Sequence, residues 1–476
     1  MSIPSPVSPI RLICSGCGYE VPAGEPYAFR CPRAQPGDDI DHVLERLLEP
    51  SALPPVDRLR ADFLSAEPNP FLKYRLLLGG YQLARRSGWS QSEYEELVTG
   101  LDRAIAQVDG HGFEVTPFEA SPALTEELGV RRVWVKDETG NVSGSHKARH
   151  LMGLMIHLEI ARRLGGAVEA SPLAIASCGN AALAAAVVAR AAGRELEVFV
   201  PEAANRSVVS TLERLGADLK ICVREAEIAG DPCFHRFRAA VAGGALPFSC
   251  QGPDNGLVLE GGQTLVFEML STLIAEGAAL DRLVVQVGGG ALATAAFRAF
   301  DEARALGLTA SMPRLHAVQS TGASPLARAY DRVVERLLPR VVAPGDLPPD
   351  RASRARLVAE RVPASAVDEA LEFAATHRSS FMWPWEEEPQ SVAYGILDDE
   401  TYDWLAVVRG MLTSGGYPLV AAEETLLLAH RMAREKTAIP VDPTGSAGLA
   451  GYLELRESGE LGVDEEVAVL FTGVER

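Results

Sequence analysis

Apolar residues recur along this chain in two rhythms. From Asp57 to Val108 they fall at steps of three and four around Leu76, Leu77, Tyr81 and Leu83, which predicts amphipathic helices. Ser90 and Ser92 stand ahead of Glu95 and Glu96, a helix-start pattern. Nothing in that stretch carries chemistry, so it reads as packing or a dimer surface. Further on the rhythm shortens. Apolar runs at Arg132 to Val135, Leu173 to Ala176, Leu196 to Val200, Asp218 to Cys222, Leu283 to Val287 and Leu315 to Val318 alternate with helical stretches, one of them starting at about His146. That alternation predicts a parallel sheet covered on both faces. Ligands in such sheets bind at the carboxyl ends of the strands, so the turns there are where chemistry is sought. Between Val341 and Ser380 proline and arginine become dense and strand patterning fades, which predicts an insertion or a helical connection.

The most apolar window, Leu173 to Ala192, is interrupted by Ser177, Cys178, Gly179, Asn180 and Arg190. It reads as a buried Ala-rich helix behind a loop, not as a membrane span. Composition sharpens this. With 476 residues, 47% of them hydrophobic, the chain can bury a large core without disulfides. Its 64 acidic residues against 45 Lys and Arg give a net charge of −19, which argues against nucleic acid or an anionic membrane as partner. Met1 to Ile10 is broken by Pro4, Pro6 and Pro9 and has no apolar signal core. A cytoplasmic protein with seven reduced cysteines is therefore expected.

Three of those cysteines open the chain. Cys14-x-x-Cys17 is followed by Cys31, but Ala34 stands where a second Cys-x-x-Cys knuckle would end. Zinc completed by His42, Asp38 or Asp39 is one reading; a ribbon holding a short hairpin without metal is the other. His146 and His150 have the spacing of a helical zinc pair, but Lys147 occupies the place of the catalytic glutamate, so that reading is rejected.

Three strand-to-helix turns carry the remaining chemistry. Ser143-Gly144-Ser145-His146-Lys147 puts a lysine against the positive end of a helix dipole, an awkward place for a stored cation and a suitable one for a reactive amine. Ser177-Cys178-Gly179-Asn180 offers free backbone N–H groups to a carboxylate, unless Ser177 or Asn180 merely caps the helix. Cys178 reads as a small polar lining residue because no His–acid partner accompanies it. Gly288-Gly289-Gly290-Ala291-Leu292 lets the backbone wrap a phosphate. With Ala293 the run also fits a dinucleotide fingerprint, but the next strand ends at Val318-Gln319-Ser320 without the ribose-binding acid.

In order along the chain, these turns resemble the pyridoxal-phosphate enzymes of fold type II, which are tryptophan synthase beta-like, and among them the threonine synthase-like branch. Thr116-Pro117, Lys136-Asp137-Glu138, Glu260-Gly261 with Gln263 and Thr264, and Gln319 with Gly322, Ala323 and Pro325 extend the likeness. Asp442-Pro443-Thr444-Gly445-Ser446-Ala447 and Phe471-Thr472-Gly473 complete it. The resemblance implies an α/β fold of two lobes with open, mostly parallel sheets. Residues 111–165 and 250–476 would form the large cofactor-binding lobe and 166–249 a small mobile lobe. In front would stand a Cys-containing ribbon-like piece at 1–45 and a helical region at 46–110. It implies Lys147 as the Schiff-base lysine, Asn180 at the ring hydroxyl oxygen and Gly288 to Leu292 at the phosphate. Thr472 would face the pyridine nitrogen, with Ser446 competing, and Ser177 to Ala181 would grip the substrate carboxylate.

Departures from that branch bear on substrate. The Asp usual after the lysine is Ala148, the hydroxyl after Asn180 is Ala181, and the Arg two residues before Glu-Gly, which would meet the phosphate of O-phosphohomoserine, is Val258. The expectation is a lyase or replacement enzyme for a small amino acid with a β or γ leaving group. A true threonine synthase and an ammonia-lyase of the diaminopropionate or threonine dehydratase type are the alternatives. Asp398 or Asp399 would receive a second ammonium, against the plainer reading of a solvated acidic turn. Trp383-Pro384-Trp385 caps the cleft or packs a loop. A homodimer is the expected assembly. A non-catalytic regulatory relative and a nicotinamide oxidoreductase are the rival classes.

Overall fold

A computed structural model describes residues 8–165, 171–223 and 231–476. Residues 1–7, 166–170 and 224–230 lie outside the described residues, the last two segments within the stretch expected to form the small lobe. Among the described residues twelve strands form three sheets. β1 (Ile10–Cys14) and β2 (Leu44–Leu48) make an antiparallel pair, so the amino-terminal hairpin runs to Leu48, past the boundary expected at 45.

β3 (Phe118–Ala120), β4 (Arg132–Asp137), β9 (Arg282–Gln286), β10 (Arg314–Ser320), β11 (Leu419–Ala421) and β12 (Glu466–Phe471) form the large sheet, in the order β11-β10-β9-β12-β4-β3. Every pairing in it is parallel except β3 with β4. β5 (Leu173–Ala176), β6 (Leu196–Pro201), β7 (Asp218–Cys222) and β8 (Leu246–Pro247) form the small sheet in the order β7-β6-β5-β8, all parallel.

The apolar rhythm located the expected strands to within two residues at each end, but it passed over β12. That strand lies at the centre of the large sheet, with all six residues buried. Buried on both faces, it shows no alternation, and a five-residue apolar run is a weak signal by itself.

Helices cover both sheets. The stretch from Asp57 to Val108 folds as Val56–Phe63, Pro70–Lys73, Gly79–Arg86 and Gln91–Asp109. Ser90 caps the last of these in a capping box with Glu93, not with Glu95 or Glu96. Its buried Tyr94, Leu97, Val98, Leu101 and Ile105 join the core that holds the Ala-rich helix Asn180–Ala191. This face is internal packing of the chain, not a dimer surface. The Pro- and Arg-dense connection contains the helices Arg351–Arg361 and Ala364–Ala375. No helix among the described residues is long and apolar enough to cross a membrane.

The helices Lys147–Arg163 and Leu259–Glu276 cross closely. A Cβ on Gly153 would stand 2.8 Å from Gly261 Cα, so glycine is what permits the approach. Beneath that crossing lies a closed group of ions with no exposed surface: Lys136, Glu138, Arg149 and Glu268. Lys136 Nζ also donates to Thr116 O at 2.8 Å, and Arg149 donates to both carboxylates and to the hydroxyls of Thr116 and Thr264. Motif residues at 116, 136 and 138 thus serve architecture. Burial works against charge on Glu268, yet Arg149 and then Lys136 hold its carboxyl below the ordinary range.

Candidate active site

A cavity of about 360 Å³ opens between the two sheets at the carboxyl ends of β5, β6 and β9. That volume lies within the range of sites that enclose a small ligand. All three turns singled out in the sequence line it, bringing together Lys147, Ser177 to Ala181, Gly288 to Leu292 and Thr472.

The lysine turn is held from behind. Ser143 and Gly144 adopt positive φ of 55° and 65°. For Ser143, that conformation persists only because its surroundings impose it. Asp109 accepts from Ser143 N at 2.8 Å, and the loop after β12 pairs with the turn: His146 N donates to Thr472 O at 3.1 Å and Val474 N to Gly144 O at 2.9 Å. Lys147 is the first residue of its helix, whose amino end has no side-chain cap. His146 and His150 are buried and use Nδ1 on the carbonyls of Thr472 and Val258. Burial, then the charge of Lys147, lowers both, His146 well below its ordinary value and His150 to about 3, so they sit there neutral.

At the Ser177 turn, no side chain caps the helix Asn180–Ala191, which overturns the reading of Ser177 or Asn180 as an ordinary cap. The first N–H groups of that helix therefore stay available to an anion. Arg476 donates to Asn180 Oδ1 and to Ser143 O; one N–H of the Asn180 amide bonds the Asp442 carboxyl, which leaves the other for a further acceptor. The glycine turn is similarly open. Gly290 has φ 99° and caps Ala291–Ala305 without a side-chain bond. Added Cβ atoms would strike the Asp398 carboxylate at Gly288 and come within 2.9 Å of Tyr402 at Gly289.

Thr472 and Ser446 part company here. Gln286 Nε2 donates to Thr472 Oγ1 at 2.7 Å while also facing the carbonyls of Gly445 and Leu470. An accepted bond there leaves the Thr472 proton free to be donated into the cavity. Ser446 does not line the cavity; its hydroxyl donates to Asp442 O at 3.0 Å on its own helix.

Sequence reasoning missed several wall residues. Gln286 and Ser249 line the cavity, and Gln286 Oε1 and Ser249 Oγ are buried with no protein partner among the described residues. Gln286 could have been found, since it is a lone polar residue in an apolar strand two positions before the glycines. Asp231 and Asp398 face the cavity from opposite lobes. Asp398 is pushed up to about 6 by burial, against the pull of Lys147, so its turn is not simply solvated. Asp399 does not line the cavity; its carbonyl accepts from Trp385 N at 2.9 Å. Burial, and then Asp231, raises the Cys178 thiol, which suits a lining residue rather than a nucleophile. Among the described lining residues there is no arginine.

Val258 is fully buried in the core behind the cavity and does not line it. Trp383 and Trp385 pack a loop, with the Arg328 guanidinium 3.7 and 5.3 Å from their ring centres. Cys14, Cys17 and Cys31 gather with His42 in the amino-terminal hairpin and share no residue with the cavity.

The family described as pyridoxal-phosphate dependent enzyme matches residues 111–384. Threonine synthase of Methanosarcina acetivorans is 25% identical over 365 residues, covering 75% of this chain and 74% of that protein. Threonine synthase of Mycobacterium leprae is 24% identical over 360 residues, 75% of this chain and 80% of that one. In fold the chain is similar to diaminopropionate ammonia lyase from Escherichia coli, with a TM-score of 0.56, 16% identity and coverage of 87% of this chain and 92% of that chain. It is similar also to the processed form of threonine deaminase isoform 2 from Solanum lycopersicum, with a TM-score of 0.54, 14% identity and coverage of 82% of this chain and 91% of that chain.

Proposed function

The chain belongs to the pyridoxal-phosphate dependent enzymes, a lyase-type family, and we propose that it is a lyase or replacement enzyme for a small amino acid with a β or γ leaving group, O-phosphohomoserine excepted. The residues around the cavity fit the cofactor. The glycine turn opens its helix with no side-chain cap and lies too close to Asp398 and Tyr402 for any side chain, and the orphaned Ser249 and Gln286 atoms await polar partners. When bound, pyridoxal phosphate withdraws electrons from the substrate's Cα.

The protein's part is to hold and to move protons. Lys147 is the amine that carries the cofactor and then shuttles a proton at Cα. Gly288 to Leu292 receive the phosphate, and Asn180 donates its amide to the ring hydroxyl oxygen. Thr472 donates a neutral hydroxyl to the pyridine nitrogen. A neutral partner there does not enforce a protonated ring, which favours elimination and replacement over transamination. The turn from Ser177 to Ala181 orients the substrate carboxylate, chiefly through the uncapped N–H groups at the start of the Asn180–Ala191 helix. Motion of the small lobe would exclude water from the reacting carbon.

The observation that carries the substrate reading is the charge of the wall. Its described lining residues offer Asp231 and Asp398 beside Lys147 and no arginine, so a second phosphate would lack a bidentate partner. The same two carboxylates favour a second reading, ammonia loss from a diamino acid whose distal ammonium they would receive. Purified protein screened against amino acids with β and γ leaving groups, read by keto-acid and ammonia release, tests both. Ordinary conversion of O-phosphohomoserine to threonine would sink the first.

A further inference from the structure

The four ligand-bearing atoms of Cys14, Cys17, Cys31 and His42 lie within 4.8 Å of one another. A tetrahedral zinc with Zn–S arms of about 2.3 Å has S···S edges of about 3.8 Å. Cys17 Sγ and Cys31 Sγ are 3.6 Å apart, and Cys14 Sγ and His42 Nδ1 are 3.3 Å apart. The knuckle is built for this: Gly18 turns back with φ 66°, Gly18 N donates to Cys14 O at 3.0 Å, and Cys14 N donates to Tyr19 O at 2.8 Å. His42 directs Nδ1 at the thiols because its other nitrogen, Nε2, lies 3.2 Å from Asp38 Oδ2. A carboxylate on the far nitrogen is the usual way a protein orients a zinc-bound imidazole.

We propose that Cys14, Cys17, Cys31 and His42 bind one structural Zn²⁺, with Asp38 positioning His42. Three thiolates and an imidazole leave no open coordination position, so the ion is structural and not catalytic. Its place in the fold says what it secures. The loop that delivers His42 is stitched to the helical connection: Arg378 N donates to Asp39 O at 3.0 Å, Ser379 N to Asp39 Oδ1 at 2.6 Å, and Asp41 N to Ala375 O at 2.7 Å. Arg378 pairs with Asp41 and with Glu400, three residues before Asp403, whose N–H donates to Gly289 O at 2.8 Å. The metal thus anchors a hairpin that buttresses the glycine turn from behind. The inference is independent of the substrate reading and of cofactor loading.

Full-length protein purified without chelator is expected to carry about one zinc per chain by elemental analysis, and Cys17→Ser to carry less than about a tenth of that. After chelation, Co²⁺ is expected to give tetrahedral thiolate absorption. Chelation is also expected to make three further thiols reactive toward a disulfide reagent. Asp38→Asn is expected to keep zinc at saturation but to bind it about 10- to 100-fold more weakly. Wild-type protein with less than about a tenth of an equivalent of zinc, no cobalt band and no thiols uncovered by chelator would overturn the proposal. Since the cobalt and thiol measurements use the wild-type chain, the test stands even if Cys17→Ser fails to fold.

Discussion

Two groups of buried charge flank the Lys147 turn, and they are built on opposite rules. Behind it, Lys136, Glu138, Arg149 and Glu268 are paired and without exposed surface. In front, around the glycine turn, Asp398 is held by the charge of Lys147 and then by the Gly289 N–H, and Asp403 by the Gly252 N–H. Burial pushes Asp403 up to about 7. The first group is a saturated lattice that a ligand could not improve. The second keeps hydrogen-bonding capacity in reserve; Asp403 Oδ1 has no partner among the described residues. Behind the turn the chain satisfies its buried charge; around the glycine turn, with Asp398 at the cavity and Asp403 beneath it, some is left unanswered.

The largest effects should fall on opposite observables on the two sides. Lys147→Ala should cost at least about 1,000-fold in turnover while leaving thermal unfolding near wild type, since no packed core is disturbed. Glu268→Ala should do the reverse, losing about 3–5 kcal/mol by leaving buried Lys136 without its close carboxylate and two buried cations sharing Glu138. Chemical denaturation of both variants checks this; equal destabilisation would erase the distinction. Next comes Asp398→Asn. It should raise KM about 10- to 100-fold for a substrate with a distal ammonium and leave stability unchanged or slightly higher, as measured by steady-state kinetics beside a melting curve.

pH should separate the two sides as well. A carboxyl raised in the fold binds its proton more tightly there than in the unfolded chain. Asp403, raised from 3.8 to about 7, therefore penalises the fold progressively as pH rises from about 4 to 7, and fully above that. Asp403→Asn should be more stable than wild type by about 1–3 kcal/mol at pH 8 and gain nothing at pH 4. Glu268, held low, contributes in the opposite sense: its stabilisation is present above the ordinary carboxylate range and lost only in acid. The smallest contrast is between two hydroxyls. Thr472→Val should lower turnover about tenfold, whereas Ser446→Ala should change it by less than about twofold.

The legible and illegible parts of this molecule divide along similar physical lines. Strand-to-helix turns announce themselves through small residues at fixed places, so each turn was legible as a candidate; that Lys147, Asn180 and the Gly288 run share one cleft was what the family resemblance implied. Backbone geometry and local sequence are nearly the same thing there. Asp231 was not read because its meaning depends on which distant loops face it, and a lone Asp carries no local signature. The choice between Thr472 and Ser446 turned on a bond from Gln286, 186 residues away from Thr472 in sequence. Val258 shows the reverse hazard: a position inferred to touch substrate faces the core instead.

The central placement of β12 has a consequence for how the chain acquires its shape. Trp134 of β4 donates to Glu466 of β12 across 332 residues of sequence. At roughly 5–20 residues per second, a ribosome needs about 15–65 s to travel that interval. From the completion of β9 at Gln286, β4 and β9, which flank β12, lack their shared neighbour until Glu466 is made. The nascent large lobe therefore carries a gap of one strand's width, open to any extended segment of compatible pattern. β12 fits between β4 and β9 as a keystone, so the centre of this sheet can close only once Glu466 to Phe471 have been made.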